Sequence, residues 1–427
     1  MNKQSHPILK SSWSWIPTLY FAQGLPYVIV MTLAVIMYKR LGIDNTDIAL
    51  YTSWFYLPWV IKPLWSPLVD IMKTKRWWVI SMQLIIGSSL ACIALTLPGP
   101  NAFRYSLAFM WLLAFSSATH DIAADGFYML GLNTRQQAFF VGIRNTFYRL
   151  AMLTGQGIIV MFAGWLEEKY TTQLPESIAI PRAWSVTFYL LTALFILLFL
   201  YHQFVLPKPE QDIPVKNNHP LKAFFDTFLS FFRKPGIITA LLFILLFRLA
   251  ESQLVKIASP FLLDKPEVGG LGMNTLQVGT IYGVVGLIAL ITGGISGGIA
   301  MARNGLKHWI MWMTAAMNLP NLVYLYLAYA RPDNVYLITS CIAVEQFGYG
   351  FGFTALTFFM ILFSKGKEQT SHYAICTGFM ALGMMLPGMI SGWIQKEIGY
   401  QHFFIWIMLC TIPSFLAARK IHKNLQL

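Results

Sequence analysis

Apolar residues fall in long blocks separated by short polar clusters, at 13–38, 46–70, 77–97, 103–130, 138–165, 183–206, 236–264, 274–300, 307–330, 335–363, 370–394 and 400–418. Blocks of this length suit helices crossing a hydrocarbon core, which takes about 20 residues. The blocks are numbered spans 1 to 12 in chain order. The breaks coincide with turn chemistry, at Gly42 to Thr46, Pro98-Gly99-Pro100-Asn101 and Arg331-Pro332-Asp333-Asn334. Lipid offers a backbone no hydrogen-bond partner, and the alternation of a strand barrel is absent, so each block is expected to be a helix. The pattern predicts an all-α polytopic membrane protein with twelve transmembrane helices.

Composition agrees: 56% of the 427 residues are apolar and 11% charged, against about 25% charged in soluble domains. That excludes a soluble enzyme, a nucleic-acid binder and a disordered scaffold. The net charge of +13 is distributed by side. With the N-terminus inside, 18 Lys and Arg fall on inner segments and 8 on outer ones, which places both termini in the cytoplasm. No nucleic-acid partner is needed to explain the excess. Cys92, Cys341, Cys376 and Cys410 all lie in apolar runs and form no secreted disulfide framework. The polar stretch Met1 to Ser12 and the long apolar run after it do not form a cleavable signal. The longest inner segment divides the chain into an N-terminal six-helix half (1–206), a cytoplasmic linker (207–235) and a C-terminal six-helix half (236–427). Within the linker, Leu221 to Phe232 reads as a helix lying in the inner interface.

Ionisable groups inside spans are costly, at least ~2.5–3.5 kcal/mol for Asp, Lys or Arg, and therefore informative. Spans 3, 6, 9 and 12 carry none at mid-depth, because His202, Lys307, His308 and His402 lie near ends. Span 1 carries Gln23, span 4 His120, Asp121 and Asp125, span 7 Arg248, Glu251 and Lys256, and span 10 Glu345 and Gln346. This three-helix period resembles the major facilitator architecture, two six-helix halves of inverted three-helix repeats with a substrate site at the midplane. Asp70, Lys75 and Arg76 after span 2, and Gly298, Arg303 and Gly305 after span 8, resemble that architecture's cytoplasmic gate motif, with Ala302 at the acid position of the second copy.

Asp121 and Asp125 share a helix face. Counting depth at ~1.5 Å per residue puts Asp125 level with Arg144 and Asp121 level with Arg149, so two acid–base pairs between spans 4 and 5 are expected. They are either static bridges or sites of proton exchange and substrate contact. Arg248 and Glu251, three apart, face the same way, and Glu345 is either a proton carrier or the partner of Arg248. Lys62 lies among Pro58, Pro63 and Pro67 and either satisfies a kink or meets substrate, while Lys256 lies nearer the outer end. No metal-ligand spacing, nucleophile elbow or phosphate loop is visible, so neither an enzyme nor a cofactor is expected.

Phe21-Ala22-Gln23-Gly24-Leu25-Pro26, Lys62-Pro63-Leu64-Trp65-Ser66-Pro67-Leu68-Val69-Asp70, Ala118-Thr119-His120-Asp121-Ile122-Ala123-Ala124-Asp125-Gly126 and Tyr148-Arg149-Leu150-Ala151-Met152 are similar to the AmpG-type muropeptide permeases and their relatives, the acetyl-coenzyme A transporters. Leu246-Phe247-Arg248-Leu249-Ala250-Glu251 and Glu345-Gln346 are closer to the permeases. His120 stands where the permeases more usually show Gln. The resemblance implies proton-coupled import of anhydro-muropeptides (GlcNAc-anhydroMurNAc with or without peptide) across the bacterial inner membrane, by a monomer whose partners are a small glycan or glycopeptide, protons and lipid. Another glycoconjugate, an oligosaccharide or acetyl-coenzyme A is the alternative substrate. On this reading Asp121, Asp125, Glu251 and Glu345 carry protons, and Gln23, Lys62, His120, Arg144, Arg149, Arg248 and Gln346 bind substrate.

Overall fold

The computed structural model describes residues 5–132, 134–214, 228–365 and 369–424, with the side chains of 5–11, 67, 68, 70, 71, 134, 135, 137–139, 141, 142, 369, 370 and 424 left aside. Among the described residues there is no strand, and nine helices are long and apolar enough to cross a membrane. Two of the nine, Thr275–Ala330 and Ser371–Lys423, have lengths of 56 and 53 residues, about twice what one crossing needs. Each contains a glycine in a region of backbone space open essentially to glycine alone: Gly305 (φ 72°, ψ 175°) and Gly399 (φ 72°, ψ 170°). These turns fall in the gaps between spans 8 and 9 and between spans 11 and 12. Left-handed residues at Gly42, Asn101 and Arg331 mark three further expected turns.

Span 2 is broken into Asn45–Trp54 and Leu57–Met72. Pro58 has no N–H to offer Trp54, so the first helix stops and proline begins the next. Lys62 therefore sits within a continuous helix, and the break lies a turn and a half earlier. Span 7 is also discontinuous, with Ile237–Leu246 ending before Phe247 and Leu249–Leu263 beginning after Arg248. Wide π-turns interrupt span 1 at Ile29–Leu33, span 5 at Thr154–Ile159 and span 8 at Gly279–Gly286. Such turns cluster at functional sites.

The chain forms two compact units, 1–34 with 64–220 and 35–63 with 221–427. Residues 35–63, placed by the hydropathy pattern in the first half, pack with the second unit. In the linker, 215–227 lie outside the described residues. At its end Phe231 is fully buried in the core of the second unit, against Phe363, His372 and Phe379. Leu229 and Phe232 beside it are exposed, and most of the expected helix from Leu221 to Phe232 lies outside the described residues.

The glycines of spans 8 and 10 work as contact surfaces. A Cβ on Gly293 would lie 2.1 Å from the Phe347 carbonyl oxygen, and one on Gly350 2.0 Å from that of Leu290. On the other side of span 10, Gly348 and Gly352 meet the backbone of span 9 at Ala316 and Met313. Span 10 thus touches both neighbours main chain to main chain, as small residues permit in membranes. Gly350→Leu is expected to destabilise purified protein in detergent by about 1–3 kcal/mol or more, read as a lowered melting midpoint. Gly298→Leu, with nothing within 4 Å of its Cβ, leaves the midpoint unchanged.

Candidate functional site

In the first unit, Tyr20 Oη donates to Asp125 Oδ1 at 3.2 Å, and Arg144 Nη2 lies 3.4 Å from the same oxygen. The expected Asp125–Arg144 pair is therefore formed. With the side chains 27% and 40% exposed, it is worth about 1 kcal/mol or less. The Arg144 guanidinium also lies 4.5 Å from the Tyr20 ring and 5.1 Å from that of Tyr128, contacts worth ~0.5–1 kcal/mol. The tyrosine rings thus hold Arg144 about as firmly as the acid does.

The second expected pair is not formed. Asp121 is 9% exposed, but Arg149 is exposed and makes no ion pair among the described residues. Tyr148 is the electrostatic neighbour of Asp121 instead. Depth counting placed Arg149 at the right level, but adjacent helical residues point ~100° apart, so level alone does not set facing. Gln23 is 7% exposed, and its Oε1 has no hydrogen-bond partner among the described residues.

His120 is 1% exposed and belongs to a buried polar chain. Gln83 Nε2 donates to His120 Nε2 at 3.1 Å, while Gln83 Oε1 meets His202 Nδ1 at 3.0 Å. Thr18 Oγ1 closes the chain 2.9 Å from His202 Nε2. The fixed donor–acceptor polarity of the Gln83 amide ties the tautomers of the two imidazoles together. His202 lies in the last turn of its helix, as expected from the sequence, and is fully buried.

In the second unit the break in span 7 makes Arg248 the residue preceding Leu249–Leu263 and places Glu251 in that helix's first turn, where the helix dipole favours negative charge. Arg248 turns to span 10, donating to the Tyr349 hydroxyl and lying 5.0 Å from the Phe353 ring. Glu251 is 5% exposed, and its Oε2 has no hydrogen-bond partner among the described residues. Its electrostatic neighbours are Arg248 and Glu345. Glu345, 1% exposed, accepts from Gln346 Nε2 at 2.9 Å, with the Tyr324 hydroxyl at 3.4 Å. Tyr282, carried on the π-turn of span 8, lies 3.3 Å from both the Tyr324 hydroxyl and Gln346 Nε2. Among the described residues no ion pair joins Glu345 to Arg248; dipoles surround it. The tyrosines were hidden in a chain with 19 of them.

A second network ties 35–63 to the rest of this unit. Lys39 Nζ is 2.7 Å from Asp264 Oδ1 and donates to Asn45 Oδ1 at 2.8 Å. Asn45 Nδ2 donates to Gln395 Oε1 at 2.7 Å and to the Tyr400 hydroxyl at 2.9 Å, and Tyr400 donates to Asp264 Oδ2 at 2.5 Å. The ring is closed. A Cβ on Gly392 would lie 2.0 Å from the Asn45 carbonyl oxygen, so the backbones touch beneath it. Partners this far apart in sequence leave no local signal.

The expected gate residues have local roles. The backbone N–H groups of Lys75 and Arg76 donate to Asp212 at 2.6 and 2.9 Å. The Arg76 side chain donates to the carbonyls of Gln203 and Leu206 at the end of span 6, satisfying a helix C-terminus. The Asp70 side chain lies outside the described residues, Arg303 is exposed, Gly298 faces open space and Gly305 makes its turn. Lys62 is half-buried.

The sequence profile of the Major Facilitator Superfamily matches residues 18–386. A Rickettsia felis relative carrying the name AmpG 4 is 26% identical over 422 residues, covering 95% of each chain. An anhydromuropeptide permease of Escherichia coli K12 is 24% identical over 415 residues, 96% of this chain and 79% of that one. Among solved structures, a D-xylose–proton symporter superposes with a TM-score of 0.73 at 11% identity, covering 96% of both chains. A bacterial homologue of the human lysosomal transporter Spinster gives 0.69 at 14%, covering 99% of both.

Gln83→Leu removes the link between two buried imidazoles. A cost of about 1–3 kcal/mol is expected for the polar groups left behind, measured as a lowered melting midpoint; an unchanged midpoint would mean that the chain from Thr18 to His120 contributes nothing.

Proposed function

The chain belongs to the Major Facilitator Superfamily and is a multi-pass membrane transporter, and on that premise we propose that it imports anhydro-muropeptides by proton symport across a bacterial inner membrane, with both termini cytoplasmic. The names of its relatives and the motifs of spans 1, 2, 4 and 5 support the substrate class. The excess of basic residues on inner segments supports the orientation.

One observation carries the proton coupling. Glu251 and Glu345 are both buried, are electrostatic neighbours, and are joined to no cation by an ion pair among the described residues. A buried carboxylate normally finds a cation or enough hydrogen bonds to offset its desolvation. Two neighbouring carboxyls, of which only Glu345 is hydrogen-bonded to a hydroxyl and an amide, form a group whose charge changes by taking up or releasing a proton. Asp125 and Arg144 supply the complementary half in the other unit. Protonating Asp125 frees Arg144, held by two tyrosine rings, for a muramyl or peptide carboxylate. Proton and substrate then favour each other's binding, which is reciprocal, and inward proton flow supplies ~2.3 kcal/mol per charge per 100 mV. Gln23 and Gln346 serve as uncharged substrate contacts.

Uptake of radiolabelled GlcNAc-anhydroMurNAc into proteoliposomes tests this. Accumulation is expected with an inward proton gradient and not without one, and acetyl-coenzyme A is expected not to compete. Glu345→Gln is expected to abolish gradient-driven accumulation while leaving exchange of internal for external substrate. Accumulation that ignores the gradient would overturn the symport reading.

A further inference from the structure

Lys256 has no part in the proton-coupling groups described above, yet it is the most buried cation of span 7. It is 1% exposed. Its Nζ donates to Thr52 Oγ1 at 3.0 Å and lies 5.1 Å over the Tyr56 ring. Thr52 spends its own proton on the Ile48 carbonyl at 2.7 Å, so toward Lys256 it is purely an acceptor. Among the described residues Lys256 makes no ion pair. An ammonium so placed has three N–H donors, of which one has a hydroxyl and another only the face of a ring.

The surroundings are polar and under-used. Ser53 Oγ, next to Thr52, is buried without a hydrogen-bond partner among the described residues. Gly388 packs closely beside it, where only a glycine fits. A Cβ there would lie 2.7 Å from Ser53 Oγ, 3.1 Å from the Ser252 carbonyl oxygen and 3.6 Å from Lys256 Cγ. Parts of spans 2, 7 and 11 therefore converge on a buried cluster of one cation and two hydroxyls, with no acid paired to the cation among the described residues. Methionine would fill the position without the several kcal/mol that desolvating an ammonium costs, so packing does not explain the lysine.

We propose that Lys256, with Thr52 and Ser53, is a carboxylate-recognition site of the transported substrate, its ammonium exchanging the Thr52 hydroxyl for a substrate carboxylate oxygen. The exchange keeps the hydrogen bond and adds opposite charge, which roughly doubles its strength. The Ser53 hydroxyl, which has no hydrogen-bond partner among the described residues, donates to the second oxygen. The site rests on the muropeptide reading, in which the lactyl group of the anhydro-sugar carries the carboxylate when no peptide is attached.

The test uses the full chain in proteoliposomes and two labelled probes, GlcNAc-anhydroMurNAc as the free acid and as its lactyl methylamide. Wild-type protein is expected to take up the acid with the lower KM. Lys256→Met raises the KM for the acid by about tenfold to a hundredfold, the loss of a hydrogen bond to a charged group, and changes that for the amide less than about twofold. Lys256→Arg retains the preference for the acid. Should Lys256→Met not fold, Lys256→Gln gives the same comparison. Equal effects on acid and amide, or none on the acid, would overturn the role of Lys256 alone. Wild-type protein that takes up neither probe would overturn the muropeptide reading and this ligand with it, an outcome seen before any variant is made.

Discussion

Hydrocarbon gives no solvent to a polar group, so every buried acid, amide and hydroxyl in these spans must be answered by the protein itself. Glu251 and Glu345 are the places where that demand is met with dipoles and no ion pair. The irregularities of the second unit gather around them. The break in span 7 puts Glu251 at a helix start and sends Arg248 toward Tyr349. The π-turn of span 8 carries Tyr282 into the Tyr324–Glu345–Gln346 cluster. Glycines of span 10 let its backbone lie against both neighbours, which fixes the position of Glu345 between them.

The first unit meets the same demand differently. Asp125 has its arginine, partly solvated and held between two tyrosine rings, so the pair can separate at small cost. Gln83 bridges two imidazoles and ties spans 1, 3, 4 and 6 through one buried chain. One unit thus contains a partly exposed acid–arginine pair, and the other contains two buried carboxyls that no ion pair joins to a cation among the described residues. The ring of Lys39, Asp264, Tyr400 and Asn45 adds a third arrangement, in which one ion pair is completed by neutral groups on every side. It accounts for residues 35–63 belonging with the second unit despite their place in the chain.

Span positions and turns were legible because they depend on local chemistry: long apolar blocks, and glycines such as Gly305 and Gly399 in the gaps between them. The polar character of spans 1, 4, 7 and 10 was legible for the same reason. The Asp125–Arg144 pair could be found by depth alone, because both side chains happened to face one another. Asp121 and Arg149 show where that method stops, since depth carries no information about rotation around the helix axis. Tyr282 and Tyr324 were invisible among many aromatic residues of the same type, and the Asn45–Gln395 contact joins residues 350 apart. The break at Phe247–Arg248 has no proline to announce it. Local chemistry is written in the sequence, whereas facing and long-range pairing emerge only when helices pack.

Proton exchange accompanying substrate binding tests the central claim most directly. Purified protein in weakly buffered detergent solution, mixed with GlcNAc-anhydroMurNAc beside a pH indicator, is expected to show a proton change that disappears when Glu251 and Glu345 are both replaced by Gln. A proton change of the same size in that double variant, with substrate still bound, would contradict the account.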